Sequence, residues 1–373
     1  MPTKTALMPA LLGCCLGLAW GVPTAAADEG RTSAQMDFSV RYPDKDPLEN
    51  LPPGARFISS FGERAAWSPD GTKLAFIGSS YGDAFEYDLR TGKVRNLTGH
   101  SANQGFLRVH YLPDGNLLLL GPRKRSADRQ AMRIGDIELW YMGKEEGAQI
   151  FPLGEYVSEG IAVSRTTNTI AFAVLNPRHA SQDYKGPETT KFRMGTVAMV
   201  DGVPKFTQVR SFHELPTSEC VQEAQDFRRN DQELVTSCYD LGGKRLSQGK
   251  FVPILHSKIA GIDLKSGKEI VYWDVRDGTF AEVEGIAPSG DWTMVECGGG
   301  EKSGLDLCRL ELKPNGKLTR LTRMLDYGAH RVSNPVVSPD GKMVAFQFGR
   351  ASDEAGVGLG IIVAPLAGMS GEL

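Results

Sequence analysis

One short segment recurs along the chain, and its recurrence constrains the fold more than any other feature. It reads Ala66-Trp67-Ser68-Pro69-Asp70-Gly71 ahead of Leu74-Ala75-Phe76. It returns as Tyr111-Leu112-Pro113-Asp114-Gly115 ahead of Leu117 to Leu120, and as Val337-Ser338-Pro339-Asp340-Gly341 ahead of Val344-Ala345-Phe346. Three looser copies lie between: Val163-Ser164-Arg165 before Ile170, Phe227-Arg228-Arg229-Asn230 before Leu234, and Ile286-Ala287-Pro288-Ser289-Gly290 before Trp292. Counted from the Ser68 position, the copies begin at 68, 112, 164, 228, 287 and 338, so the repeats span 44 to 64 residues.

The motif has a physical reason. Pro presets φ for the second position of a type I turn, Asp suits the third, and Gly accepts the left-handed conformation that closes a hairpin. Each copy therefore joins an inner strand A to a strand B. Two further strands follow, as in Phe85–Leu89, the turn Arg90-Thr91-Gly92-Lys93 and Val94–Thr98. The fourth and fifth repeats do the same around Ser266-Gly267-Lys268 and Asn315-Gly316-Lys317. Repeats of this length with four short strands each predict a single all-β, six-bladed β-propeller over residues 57–373. The last repeat lacks a fourth strand after Leu359–Pro365. An N-terminal strand is expected to close the ring and cover that edge, from either Phe38–Tyr42 or Phe57–Phe61. The 43 Gly and 21 Pro are then largely turn chemistry.

These turns, with the strand ends Asp88-Leu89-Arg90-Thr91-Gly92-Lys93 and Asp263-Leu264-Lys265-Ser266-Gly267-Lys268, resemble the TolB-type, WD-repeat-like propeller family over roughly residues 57–366. The resemblance implies a periplasmic, envelope-associated interaction module. It covers the propeller part only; the extra N-terminal α/β domain of TolB is not expected in the short lead 28–56. Fold resemblance carries little about function, because one fold hosts many.

The first 27 residues read as an export signal: Lys4, an apolar run from Ala6 to Val22, then Ala25-Ala26-Ala27 before acidic Asp28-Glu29. Cleavage after Ala27 gives a periplasmic or secreted protein. Lipoprotein processing at Cys14, after Leu11-Leu12-Gly13, is the weaker alternative. No transmembrane segment is expected in the mature chain. The remaining Cys220, Cys238, Cys297 and Cys308 suit disulfides in an oxidising compartment. Hairpin register pairs Cys220 with Cys238 about Arg229, and Cys297 with Cys308 about Lys302–Ser303. With 42 Lys+Arg against 45 Asp+Glu, the net charge of −3 gives no case for binding nucleic acid.

Candidate chemistry is sparse. Gly78-Ser79-Ser80-Tyr81-Gly82 matches G-x-S-x-G, but a nucleophile elbow needs a strand entering and a helix leaving, and a strand follows here. In a propeller the D–A and B–C loops emerge on one face. His100, His213 and His330 are assigned to D–A loops, His179 and His256 to B–C loops, and only His110 to an inner strand. Glu155, Glu159, Glu219, Asp277, Glu282 and Glu284 are placed in or near D–A loops. A divalent metal at the channel mouth would draw on His100, His213, Glu219, Glu284 and His330, since imidazole and carboxylate are common ligands.

Two long B–C loops carry Arg178, His179, Tyr184 and Lys185, and Lys244, Arg245, Lys250 and His256. With Arg123, Lys124, Arg125 and Arg129 they predict a basic rim over three neighbouring blades. Long loops on a rigid scaffold are where binding usually sits. The leading expectation is a non-catalytic binding or scaffold propeller. It would engage a periplasmic or envelope protein, or an anionic envelope ligand, through Arg178, His179, Tyr184, Lys185, Lys244, Arg245, His256, His213 and His330. The alternative is a metal-assisted, glycan-acting enzyme of the lyase-like propeller kind, working at the channel mouth. No other cofactor is expected.

Overall fold

The structure, a computed structural model, describes residues 36–369 apart from 182, 247–253, 277, 300–303, 329 and 355. The expected export signal with Cys14 and Cys15, and the loop residues Lys250 and Asp277, lie outside the described residues. Six four-stranded antiparallel sheets form a ring of blades, each ordered from inner strand A to outer strand D. The inner strands are Glu63–Trp67, Arg108–Tyr111, Ser158–Val163, Val221–Arg228, Phe280–Ile286 and His330–Val337. The repeats thus fold as the six-bladed β-propeller their spacing predicts.

Each A–B turn is held by bonds spanning only a few residues. In blade 1 the Ser68 hydroxyl donates to Asp70 Oδ1 at 2.7 Å and accepts from the Lys73 amide at 2.9 Å. The Thr72 amide donates to the same carboxylate at 3.0 Å, and Gly71 sits at φ +70°. Blade 6 repeats this with Ser338, Asp340, Lys342, Met343 and Gly341. Blade 3 lacks the aspartate, and its Ser164 hydroxyl instead donates to Asp231 of blade 4 at 2.6 Å.

Blade 6 is completed by Arg56–Ser59, which pairs antiparallel with Ile361–Pro365. The Phe57 segment therefore closes the ring. Its Ile58 joins a cluster with Leu74, Phe76, Ile361 and Val363. The Phe38–Tyr42 segment lies against blade 5 instead. The Arg41 and Tyr42 amides donate to the Asp326 carbonyl at 2.7 Å, and the Arg320 guanidinium sits 5.1 Å from the Phe38 ring.

Both disulfides form with the expected partners, with Cα separations of 5.4 Å for Cys220–Cys238 and 5.9 Å for Cys297–Cys308. Neither joins directly opposed residues. Cys238 faces Gln222, because the hairpin turns about Asn230 and Asp231 rather than about Arg229, and Cys308 faces Val295. The two bridges fit an oxidising, extracytoplasmic compartment. Among the described residues no helix is long and apolar enough to cross a membrane.

The B–C loop of blade 2 holds a seven-residue helix, Arg129–Gly135, capped by the Asp128 side chain on the Ala131 amide at 2.9 Å. The repeat pattern had suggested only an irregular basic loop there. His213 also departs from expectation. It lies inside the long outer strand Val203–Pro216 of blade 3, and His330 and His256 open strands rather than sit within loops.

Candidate functional site

Five of the six inner strands slip register against strand B: at Glu63/Ala66, Ser158/Ile161, Ala224/Asp226, Val283/Gly285 and Ser333/Val336. A bulge bends a strand and re-aims a side chain. Here it turns Arg64, Gln225, Glu284 and Asn334 into the channel, with Arg64 at φ 55° and Asn334 at φ 48°. The same backbone device, repeated around the ring, thus supplies the polar lining.

Above these residues the channel widens into a cavity of about 680 Å³. Its walls include Leu175, Val221, Leu241, Leu246, Phe280 and Leu305, from strand ends and B–C loops of blades 3 to 5. Its polar lining holds Arg108, Glu282, Glu284, Glu296, Ser333 and Asn334. The Arg331 guanidinium, 2% exposed, donates to the carbonyls of Glu354 at 2.5 Å and Val357 at 2.9 Å, fixing the blade 6 B–C loop over the mouth. A narrower void of about 40 Å³ continues below, beside His110 and Gln225.

Glu282, Glu284 and Glu296 bring one carboxylate oxygen each within 4.8 Å of one another. Glu282 and Glu284 project two residues apart from the inner strand of blade 5, and Glu296 from its strand B. The Asn334 amide of blade 6 donates from its backbone to Glu296 Oε1 at 2.7 Å and from Nδ2 to Glu284 Oε1 at 3.1 Å. Burial, then the Glu282 charge, pushes Glu296 up to about 7. Burial, then the Glu296 charge, raises Glu284 well above the ordinary carboxylate range. Burial likewise raises the Tyr239 phenol and drops His110 to about 3. Packed acids that resist ionisation are characteristic of functional sites, although structural networks also produce them.

The residues singled out in the sequence are spread over the rim. His179 contacts Asp136 through Nε2 at 2.9 Å, and Arg178 donates to the Gly135 carbonyl while lying 3.7 Å from the Tyr156 ring. Arg245 donates to the Gly186 carbonyl at 2.7 Å and stacks over Tyr184 at 5.4 Å, tying the two long loops together. Lys185 and Lys244 are exposed. His256 bonds Asp274. Part of the expected basic rim is neutralised, since Arg123 pairs with Glu138 and Arg129 with Glu354.

His213 stacks on Phe192, His330 stacks on Phe348, and His100 bonds the Ala148 carbonyl. Glu219 is exposed beside Cys220, and Glu155 pairs with Arg193 at 2.7 Å. Among the described residues the group of His, Cys, Asp and Glu side chains that meets at metal-ligand spacing is Glu282, Glu284 and Glu296. Glu284 alone of the expected metal candidates belongs to it. Glu296, Ser333, Asn334, Arg108 and the apolar walls escaped sequence reasoning. The alternation Glu282-Val283-Glu284 on an inner strand was the one signal that pointed there.

No protein-family model and no curated protein matches the chain. Solved structures do. The gluconolactonase XC5397 from Xanthomonas campestris superposes with a TM-score of 0.51 at 14% identity, over 88% of this chain and 96% of that one. TolB from Acinetobacter baumannii gives 0.48 at 11% identity, over 84% and 63%. An oligogalacturonate lyase in complex with manganese gives 0.47 at 13%, over 82% and 77%. At such identities the similarity speaks to the fold alone, and one fold hosts many functions.

Proposed function

We propose that this protein is an extracytoplasmic, non-catalytic binding propeller that holds a cell-envelope ligand, or a short segment of an envelope protein, in the mouth of its channel. One observation carries the reading: the 680 Å³ cavity on the loop-bearing face, walled by leucines, Val221 and Phe280 and lined below by fixed polar groups. Cavities of this size with apolar walls and a few placed polar groups are the usual form of a ligand site. The ligand therefore presents an apolar flank to Leu241 and Phe280 and a polar end to the channel. Leu241, Leu246 and Ile254 of the long blade 4 loop form part of the wall, Arg245 ties that loop to the blade 3 loop, and the two loops offer Lys185 and Lys244 to an anionic portion.

The test is retention. Full-length protein is equilibrated with the lipid and small-molecule fraction of an envelope extract, washed, and examined by native mass spectrometry. Wild type should carry a defined species, and Leu246→Trp, which fills the half-buried edge of the cavity, should carry at least about tenfold less. Equal retention by the variant, or no retained species in wild type, would sink the reading. Conversion of the retained species into a product would show catalysis and overturn the non-catalytic part.

A further inference from the structure

We infer that Glu282, Glu284 and Glu296, together with the Asn334 side-chain carbonyl, form a binding site for one hard divalent cation of the calcium class inside the channel. Two separate observations meet there. The first is the carboxylate trio itself, three oxygens from three side chains within 4.8 Å. The second is a set of buried polar atoms on the facing strand that lack hydrogen-bond partners. Asn334 is 6% exposed, and its Oδ1 accepts nothing although its Nδ2 bonds Glu284. Ser333 is 3% exposed, lines the same cavity, and its hydroxyl is equally unsatisfied. Buried polar atoms are nearly always satisfied, so two adjacent exceptions beside an acidic cluster call for a ligand.

The donor chemistry selects the ion. Carboxylate, amide carbonyl and hydroxyl are all hard oxygen ligands, and the trio contains neither imidazole nor thiolate. Such a set suits Ca²⁺ first, then Mn²⁺ or Mg²⁺, and disfavours zinc and copper. Charge agrees. A dication with the neighbouring Arg108 guanidinium, whose field already acts on Glu284, balances three ionised carboxylates. The strands also give the site rigidity. Glu282 and Glu284 share one inner strand, Glu296 the strand beside it, and Asn334 is held by its backbone bond to Glu296. The cation would close the floor of the cavity and present a positive centre to the polar end of whatever enters from above. The inference does not depend on that ligand, and its test needs none.

Full-length protein, stripped with a chelator and dialysed, is titrated with CaCl₂, MnCl₂ and MgCl₂ separately by isothermal calorimetry, with melting followed in parallel. One Ca²⁺ per chain is expected, within the roughly millimolar or tighter range of extracellular sites, with a raised melting temperature. The Glu284→Gln/Glu296→Gln double variant preserves shape and removes charge repulsion. It should fold and lose at least about 100-fold in affinity. Ser333→Ala should bind only a few-fold more weakly. No binding of any of the three ions to wild type up to about 10 mM would overturn the proposal. So would unchanged calcium binding in the folded double variant, which would place the ion on surface acids.

Discussion

The two ends of the propeller use the same functional group to opposite effect. On the turn-bearing face, the carboxylates of Asp70, Asp88, Asp263 and Asp340 accept bonds from hydroxyls and amides two or three residues away and ionise more readily than usual. At the channel mouth, Glu284 and Glu296 are buried beside each other and ionise less readily than usual. Turn carboxylates are acceptors for a chain that bends back on itself. Mouth carboxylates are gathered from separate strands, and bonds spanning 38 and 50 residues tie them to Asn334. Local satisfaction builds the fold, whereas long-range assembly that leaves acceptors and hydroxyls unfilled builds a site.

The largest effect that would sharpen this contrast is loss of the buried charged anchor at the mouth. Arg331 is buried and donates to three backbone carbonyls of the blade 6 B–C loop, those of Asp353, Glu354 and Val357. Arg331→Ala should cost about 3 kcal/mol, because it removes a buried charged donor that makes three hydrogen bonds at once. Urea denaturation would measure it, and faster amide exchange at Val357 would locate it. A loss under about 1 kcal/mol with unchanged exchange would mean that the mouth is held locally, like the turns.

The next effect is a pH dependence of opposite sign at the two ends. Glu296 keeps its proton up to about 7, whereas its unperturbed value is 4.5. Between those values the native state binds more protons than the unfolded chain, so this group lowers stability as pH rises through the window. Glu296→Gln, measured without divalent ions, should lose that decline and exceed wild type by about 3 kcal/mol at pH 8 while matching it near pH 4. Parallel wild-type and variant profiles would show that Glu296 ionises in the native protein as it does in the unfolded chain.

Much of the fold was legible because its signals are local. Ser68, Asp70 and Gly71 complete a turn within a few residues, so three clear copies sufficed to find three worn ones. Blade 3 shows the limit. Its Ser164 takes a carboxylate from Asp231, 67 residues on, and no spacing rule announces that. The cysteine partners were readable, but the hairpin turns about Asn230 and Asp231 rather than Arg229, so Cys238 lies opposite Gln222. The mouth was mostly hidden for the same reason. Bulges decide which inner-strand side chain turns into the channel, and they leave no mark in the hydrophobic pattern. Glu282 and Glu284 therefore read as acids in or near D–A loops, and Asn334 was not singled out. The histidines attracted attention by residue type, yet His100, His213 and His330 find separate partners. The helix at Arg129–Gly135 is too short to show a period, although Asp128 three residues before Ala131 is a capping signal.

The smallest effect tests the turn end directly. Asp70 accepts the Ser68 hydroxyl, the Thr72 amide and the Thr72 hydroxyl, and these bonds hold its carboxyl below the usual range. A group whose folded value is depressed stabilises above its unfolded value, 3.8 for this side chain, and loses that contribution as pH falls through the folded one. Most of the turn faces water, so solvent competes for each bond, and Asp70→Ala should cost no more than about 1 kcal/mol at pH 7. The difference from wild type should shrink toward zero as the pH falls from 3.8 through the lowered folded value, the reverse of the Glu296→Gln profile, which diverges as pH rises. Cation binding at the mouth should be unchanged, because no bond links Asp70 to the channel acids. If Asp70→Ala instead weakened calcium binding, the two ends would be coupled through the blade 1 inner strand that joins Trp67 to Arg64. The division between a locally built scaffold and a remotely assembled site would then have to be withdrawn.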